Sequence, residues 1–219
     1  MRICEVFASV QGEGVDIGLP TVFVRTVGCN LRCGWCDTKY AYEGGSEWGL
    51  ERLEKRISSF GIPRACLTGG EPLLQPEAPR LVAELLKASF EVSVETNGSL
   101  PVGELIGLDK GVEGGRGGRL RVSMDVKCPS SKMHGRMRLE NLADLRERDQ
   151  VKFVLRDLRD YAHAREVLRA HPTRASVVLQ PVWGRRADRI VEAVLRDRLD
   201  ARVLVQLHKV LWGVRARGR

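Results

Sequence analysis

The stretch VFVRTVGCNLRCGWCDT, Val22–Thr38, joins a strand-like segment to a loop that carries three of the six cysteines of the chain. The β-branched and aromatic residues before Gly28 predict a buried strand, and the glycine predicts the turn that ends it. Cys29, Cys33 and Cys36 then follow in C-x3-C-x2-C spacing. Chemistry in open α/β sheets gathers at the carboxyl ends of strands. We therefore expect a functional site at this loop.

Outward from this stretch, strand-like and helix-like segments alternate along the chain. Six further candidate strands are Arg64–Thr68, Glu91–Thr96, Leu120–Val126, Val151–Leu155, Ala175–Gln180 and Arg202–Leu207. Segments with apolar residues at helical spacing separate most of them, which favours an α/β fold with a parallel sheet. A closed eightfold barrel typically needs ~250 residues. We expect residues 1–219 to form one domain, an incomplete TIM-like barrel of about six parallel core strands with flanking helices.

The composition of the chain limits which partners it could bind and indicates the compartment in which it works. The chain carries 36 Lys and Arg against 28 Asp and Glu, a net charge of +8, but the basic residues are spread through the predicted helices and a short tail. Aromatic residues make up 5% of the chain and give little material for base stacking. Apolar runs fall short of a membrane span of ~18 residues. We expect a cytoplasmic protein with no membrane contact and no direct nucleic-acid contact.

The spacing of the three cysteines bears on which metal they could hold. A disulfide framework is not expected in a cytoplasmic chain. A structural zinc site needs four ligands, and Cys4, Cys66, Cys128 and the four histidines are scattered along the sequence. Three thiolates on one loop suit a four-iron cluster, in which one iron is left open for a ligand that is not protein.

The loop resembles the signature of the radical S-adenosylmethionine (SAM) superfamily, which has an aromatic residue, here Trp35, before the last cysteine. The segment GGEP, Gly69–Pro72, resembles the methionine-binding segment of that superfamily. The resemblance implies a [4Fe-4S] cluster on Cys29, Cys33 and Cys36 whose open iron binds SAM. It also implies a 5'-deoxyadenosyl radical, formed with electrons from a donor such as flavodoxin or ferredoxin.

Within the superfamily the chain is similar to the 7-carboxy-7-deazaguanine synthase family over nearly its whole length. The motifs that carry the similarity are FASVQGEG (Phe7–Gly14), LTGGEP (Leu67–Pro72), VETNG (Val94–Gly98), DVKCPSS (Asp125–Ser131) and QLHK (Gln206–Lys209). The resemblance implies a lyase that contracts the ring of 6-carboxy-5,6,7,8-tetrahydropterin with loss of ammonia, toward the 7-deazapurines of modified tRNA such as queuosine. It further implies Mg²⁺ and a homodimer.

The resemblance also assigns residues, leaving the chemistry itself to the adenosyl radical. Cofactor contacts are implied for Trp35, Cys36, Asp37, Gly69, Gly70, Glu71, Asp125, Val126, Lys127, Gln180, Pro181, Val182 and Trp183. Substrate contacts are implied for Val10, Gln11, Gly12, Glu13, Arg25, Thr68, Glu95 and His208, and one Mg²⁺ oxygen for Thr38. Gln11 and Glu13 offer the amide and carboxylate that a pterin edge demands, and Arg25 can hold a carboxylate with two hydrogen bonds. Glu95 and His208 are expected at strand ends that face the same opening.

Two other functions stay open. An activating enzyme for a glycyl-radical protein would share the three cysteines and the fold. A zinc-bearing nucleic-acid module would explain the cysteines and the basic charge together, but would leave GGEP and DVK without a role. The segment GVEGGRGGR, Gly111–Arg119, is expected to be a flexible surface connection, and the basic tail after Gly213 is expected to be frayed and dispensable.

Overall fold

The computed structural model describes residues 1–108, 118–214 and 217–218. Within these ranges nine strands form one sheet. The strands are β1 Arg2–Val10, β2 Pro20–Thr26, β3 Ser46–Glu47, β4 Arg64–Gly69, β5 Glu91–Thr96, β6 Leu120–Val126, β7 Gln150–Leu155, β8 Ser176–Pro181 and β9 Arg202–Val203. The helices between them are α1 Leu50–Ser58, α2 Ala78–Lys87, α3 Gly103–Gly107, α4 Asn141–Asp144, α5 Leu158–Ala170, α6 Ala187–Asp197 and α7 Leu207–Trp212.

The strand order is β3-β1-β2-β4-β5-β6-β7-β8-β9. Each strand from β2 through β4 to β9 is parallel to its neighbour, while β1 is antiparallel to both β2 and β3. The sheet is not closed, because β3 and β9 lie at opposite ends of the order. Six parallel strands of six or seven residues, with a two-residue β9 beside them, confirm the expected incomplete barrel.

Alternation along the strands separates the helix-packed core from a polar interior. On β6, Val122 and Met124 belong to the buried hydrophobic cluster that the helices cover. Their neighbours Ser123 and Asp125 point the other way, into a cavity inside the curved sheet. Successive side chains of a strand point to opposite faces, so every parallel strand can deliver polar groups to the inside while its other face anchors a helix. This pattern positions the site.

The structure differs from the expected strands at both ends of the chain. Strand β1 was not expected; seven of its nine residues are only partly buried, so its sequence lacks the apolar alternation of a core strand. The segment Arg202–Leu207 was expected to be a strand, but pairing stops at Val203. The chain then crosses toward β1, where the Leu207 N–H donates to the carbonyl of Gly12 at 2.9 Å, and α7 begins.

The glycine-rich segment and the expected lack of membrane contact are the remaining points of the sequence analysis that concern the fold. Most of the glycine-rich segment, residues 111–117, lies outside the described residues. Among the helices of the described ranges, none has both the length and the apolar character needed to cross a bilayer.

Candidate active site

A cavity of about 430 Å³ opens at the carboxyl ends of the parallel strands. The loops after β2, β4 and β5, the ends of β6, β7 and β8, the segment after β1 and the C-terminal residues all contribute to its wall. A second cavity of about 330 Å³ lies at the opposite, amino ends of β4, β5 and β6. Its charged residues include the ion pairs Arg64–Glu91 and Arg121–Asp16. The three cysteines line the first cavity and not the second, so the first is the candidate active site.

Most residues that the sequence singled out lie together in this cavity. Its lining includes Val10, Gln11, Gly12, Glu13, Arg25, Cys29, Cys33, Trp35, Cys36, Asp37, Thr38, Thr68, Gly69, Gly70, Glu95, Asp125, Lys127, Gln180, Val182, Trp183 and His208. These residues come from chain segments almost two hundred positions apart, and parallel strands bring them to one edge. Glu71, Val126 and Pro181 are the three singled-out residues that do not line it.

The Glu71 side chain is fully buried and ties two loops together. Its carboxylate accepts the backbone N–H of Asn97 at 2.6 Å, the backbone N–H of Leu73 at 3.0 Å and the hydroxyl of Thr96 at 2.9 Å. Burial raises the pKa of Glu71 above its ordinary value, against the lowering effect of these hydrogen bonds. The carboxylate therefore joins the GGEP loop to the loop after β5 and is not available to a ligand.

Val126 and Pro181 are also buried away from the cavity. Val126 is a member of the hydrophobic cluster at 1% exposure, and Pro181 is the buried last residue of β8. His208 lines the cavity, but from the first turn of α7 and not from a strand end as expected. Its neighbour Lys209 donates to Asp37 at 2.6 Å, so α7 is held against the cysteine loop.

The cysteine loop fits a cluster held by three thiolates. All three thiols are free and partly exposed to the cavity. The Leu31 N–H donates to Cys29 Sγ at 3.4 Å and the Asn97 amide approaches the same sulfur at 3.8 Å, the kind of hydrogen bonding that tunes iron–sulfur sites. A Cβ on Gly70 would lie 2.0 Å from the carbonyl oxygen of Gly28, so only glycine lets the GGEP loop approach this close.

Zinc is a poorer fit for these cysteines. In the part of the chain that the structure describes, no three His, Cys, Asp or Glu side chains gather as ligands of a single ion. A zinc ion requires its ligands to converge on one centre, whereas in a four-iron cluster each thiolate bonds a different iron.

Trp35 is anchored by residues that sequence reasoning missed. Its indole N–H donates to Ser130 Oγ at 3.2 Å, and the Ser130 hydroxyl donates to the buried carboxylate of Asp160. The N–H of Gly34 donates to the Ser131 carbonyl at 3.1 Å. The DVKCPSS motif contains both serines, but the aspartate comes from α5 and carries no local signal. The aromatic residue of the cysteine loop is thus fixed by the neighbouring loop.

A chain of charges, two buried lysines and two partly buried carboxylates, crosses the floor of the cavity. The Lys152 ammonium donates to Glu13 and lies 3.3 Å from Asp125 Oδ1, while Lys127 donates to Asp125 Oδ2 at 2.8 Å. Gln206 donates to the other oxygen of Glu13 at 2.7 Å. Burial raises the pKa of Glu13, but Lys152 and Gln206 outweigh it and hold that pKa well below its usual range. Glu13 is therefore a carboxylate at neutral pH.

The Arg25 side chain is already held by neighbouring side chains, Glu5 and Tyr40, before any ligand binds. Its Nε donates to Glu5 Oε1 at 2.7 Å, and the Tyr40 hydroxyl donates to the same oxygen at 3.0 Å. The guanidinium lies 5.8 Å from the centre of the Tyr40 ring, whose pKa burial raises to about 12. Among the described residues only Nε makes such a bond, so the two terminal nitrogens of Arg25 are suited to a carboxylate ligand.

The C-terminal tail differs from its expected frayed state. Arg217 stacks on Tyr40, with its guanidinium carbon 4.1 Å from the ring centre, and Gly213, Val214 and Gly218 also line the cavity. Residues 215, 216 and 219 lie outside the described residues.

The Glu95 carboxylate and the Thr68 hydroxyl hold each other in place on the wall that β4 and β5 form. Glu95 accepts the Thr68 hydroxyl at 2.8 Å through one oxygen and the Gln11 amide at 3.1 Å through the other.

The imidazole of His208 packs against Gly12. A Cβ on Gly12 would lie 2.2 Å from His208 Nδ1, so this glycine makes room for the imidazole. Burial lowers the pKa of His208, which keeps the ring neutral near pH 7.

Thr38 occupies the capping position before a short 3₁₀ helix, Lys39–Ala41, yet its side chain makes no capping hydrogen bond among the described residues. Its hydroxyl lies 3.7 Å from Cys36 Sγ and lines the cavity. The Thr38 hydroxyl is therefore not used to cap this helix among the described residues.

Comparison with known proteins finds relatives over nearly the whole chain. The sequence profile described as the radical SAM superfamily matches residues 23–161. The chain is 39% identical to the 7-carboxy-7-deazaguanine synthase of Methanospirillum hungatei, covering 96% of this chain and 85% of the relative. It is 38% identical to the enzyme of that name from Thermoplasma acidophilum, covering 97% and 98%.

Solved structures agree on the fold. The crystal structure of QueE from Escherichia coli superposes with a TM-score of 0.73 at 23% identity, covering 94% of both chains. Streptococcus suis SuiB bound to its precursor peptide superposes with a TM-score of 0.62 at 10% identity, covering 86% of this chain and 49% of SuiB. With its cysteine loop, its open parallel sheet and these full-length relatives, the chain belongs to the radical SAM superfamily and, within it, to the 7-carboxy-7-deazaguanine synthase family.

Proposed function

We propose that this chain is a lyase that converts 6-carboxy-5,6,7,8-tetrahydropterin into 7-carboxy-7-deazaguanine and ammonia. The observation that carries the proposal is that one cavity holds both the three-cysteine loop and a set of polar groups suited to a pterin with a carboxylate. Substrate and products balance without any net oxidation, so the reaction consumes no external oxidant. When bound, the cluster and SAM supply the radical that removes the hydrogen at C6 and later returns it.

The fused pyrimidine edge of the substrate suits three side chains of the cavity, Gln11, Glu13 and Glu95. That edge presents N–H donors beside a carbonyl acceptor, and a carboxylate paired with an amide matches it. Glu13 and Glu95 are already oriented by partners that leave further lone pairs open. Thr68 and His208 extend this wall, and Val10 and Gly12 bring backbone close to the ligand.

Arg25 is suited to the substrate carboxylate through its terminal nitrogens. Its position is fixed by Glu5 and by the Tyr40 ring, so binding does not have to order a flexible side chain. Its side chain is 14% exposed, and in such a partly desolvated place a paired charge is stronger than on the surface.

The opposite half of the cavity is suited to SAM. Among the described residues, Gln180 Oε1 is a buried acceptor without a hydrogen-bond partner, and Asp125 Oδ1 has an ion pair with Lys152 at 3.3 Å but no hydrogen bond; both residues line the cavity. Buried acceptors of this kind call for a donor, which the ribose hydroxyls and ammonium of SAM provide. Gly69, Gly70, Trp35 and Lys127 complete this half, and the exposed Trp183 lies at its rim.

Thr38 is suited to a Mg²⁺ ion that would template the substrate carboxylate. Its hydroxyl is free of the capping role and lines the cavity. Magnesium keeps a largely water shell and takes few protein oxygens, so a single hydroxyl beside a substrate carboxylate meets its ligand preferences. The role of the ion would be orientation, with no water to activate.

The organisation of the whole protein is also part of the proposal. One sheet running from β3 to β9 supports a single domain over residues 1–219. We propose a cytoplasmic enzyme that receives electrons from a flavodoxin or ferredoxin and assembles as a homodimer. The exposed apolar side chains of Val210, Leu211 and Val214, each more than half exposed, support an interface near α7.

An activating enzyme for a glycyl-radical protein, the alternative that shares the three cysteines and the fold, is less well supported. It would need room for a peptide at the cavity, where α7 and the tail now stand.

The experiment is anaerobic turnover followed by mass analysis. The reconstituted protein is incubated with carboxytetrahydropterin, SAM and a chemical reductant. A product lighter than the substrate by one ammonia supports the proposal. Cleavage of SAM without any change in the pterin would contradict it.

A further inference from the structure

Lys152 belongs to none of the sequence motifs that predicted the site. It lies in the middle of β7 between Val151 and Phe153, which belong to the hydrophobic cluster. Its side chain is 6% exposed, and it lines the cavity. Burying an ammonium costs several kcal/mol unless partners compensate for it, and an apolar residue at such a place is often as stable or more stable. A cation here therefore calls for a functional explanation.

The partners of Lys152 come from both halves of the cavity. On the substrate side it donates to Glu13 Oε2, and on the cofactor side it lies 3.3 Å from Asp125 Oδ1. Glu13 and Lys152 are 139 positions apart in the sequence, so the pair is a product of the fold. Gln206 holds the other oxygen of Glu13 at 2.7 Å. Two donors on two different oxygens fix the plane of the carboxylate and leave one lone pair on each oxygen for a ligand.

We infer that Lys152 is a positioning residue for substrate recognition: it keeps Glu13 ionised and oriented as an acceptor and links it to Asp125 on the cofactor side. The inference rests on the proposed function, since it assigns Glu13 to the pterin. Lys152 acts through Glu13, and the substrate need not touch it.

The charges around Glu13 predict how the effect of removing Lys152 depends on pH. The charged or titratable groups that act on Glu13 are Lys152 from β7 and His208 from α7, and the carboxylates that act on Lys152 beside Glu13 are Asp125 from β6 and Glu95 from β5. Burial lowers the pKa of Lys152, but Asp125 and Glu13 raise it well above its ordinary value, so it stays cationic. Without that cation, Glu13 loses the strongest influence that lowers its pKa, while desolvation continues to raise that pKa. A protonated Glu13 presents a donor where the pterin edge needs an acceptor.

The test is a double-mutant cycle between Lys152→Met and Glu13→Gln in the reconstituted holoenzyme. Lys152→Met should raise KM for the pterin roughly tenfold or more near pH 6, because a hydrogen bond to a charged group is lost, and the increase should shrink as pH rises. In the Glu13→Gln background the same change should add less than about threefold. Lys55→Met, on the exposed surface of α1, is the matched control and should change nothing.

Lys152→Arg keeps the cation and should keep KM insensitive to pH. The inference is overturned if Lys152→Met leaves KM unchanged at every pH. It is also overturned if the full increase persists in the Glu13→Gln background, which would mean that Lys152 acts independently of Glu13.

Thermal unfolding separates this inference from the proposed function. In the unmodified protein the depressed pKa of Glu13 makes its contribution to stability complete above its unfolded pKa, so stability does not change through Glu13 between about pH 6 and pH 8. With Lys152→Met the folded pKa of Glu13 rises above the unfolded value, so Tm should fall as pH rises through that window. The double variant should lack this slope. If the unmodified enzyme does not bind the pterin, the proposed function fails, and the presence or absence of the slope still decides the link between Lys152 and Glu13.

Discussion

Replacing Glu71 tests whether its carboxylate ties two loops of the active site together. Glu71→Ala strands two buried donors, the N–H group of Asn97 and the hydroxyl of Thr96, together with the partly buried N–H group of Leu73. Each buried stranded donor costs about 1–3 kcal/mol, so the loss of stability should reach at least roughly 2 kcal/mol. For a chain of this size that corresponds to a fall in Tm of at least roughly 4–8 °C.

The assay is thermal and urea unfolding of the anaerobic holoenzyme, with KM for SAM measured alongside. Glu71→Gln keeps the shape and one acceptor and should lose less stability. It should also remove the part of the pH dependence that comes from Glu71, whose raised folded pKa makes stability fall as pH rises through that pKa. Glu51→Gln, an exposed carboxylate on α1, is the matched control and should change stability by less than about 0.5 kcal/mol. A loss below about 1 kcal/mol for Glu71→Ala would refute the reasoning.

Three further outcomes are expected. Cys33→Ala should abolish cluster iron, measured by iron content and visible absorbance, while Cys66→Ala, a buried thiol outside the loop, should keep it; full iron in Cys33→Ala would rule out the ligand assignment. Thr38→Ala should keep the cluster and SAM cleavage while product formation and its magnesium dependence fall together; an unmodified enzyme indifferent to a chelator would remove the metal role. Arg217→Ala should raise KM for the pterin about two- to fivefold through loss of its stacking on Tyr40, and an unchanged KM would restore the view of a frayed tail.

The sequence predicted the parts of the fold that carry their own pattern. Strands β4 to β8 each present apolar residues to the helix-packed core, so those patterns and the helices between them were readable, and the ends of those strands placed the motifs at one opening. Strand β1 was missed because it lies near the open edge and is only partly buried. That omission hid Glu5, which stands opposite Arg25 in the pairing of β1 with β2 and engages it. Arg25 therefore looked freer than it is.

Residues whose role depends on a distant partner could not be found from the sequence. Lys152 looks like an ordinary polar interruption of a strand until the fold brings it to Glu13. Asp160 looks like a helix-surface carboxylate until it accepts the Ser130 hydroxyl that holds Trp35. In both cases the signal is a buried polar contact between elements far apart in the chain, which no local pattern records.

The most direct test of the central claim follows the hydrogen that leaves the substrate. Carboxytetrahydropterin carrying deuterium at C6 is turned over anaerobically, and both the product and the recovered SAM are examined by mass spectrometry. The account predicts a product that has lost one ammonia, together with deuterium in the recovered SAM, because the abstracted hydrogen passes through a cofactor that is used again. Product formed without deuterium in SAM, or SAM consumed in proportion to turnover, would contradict it.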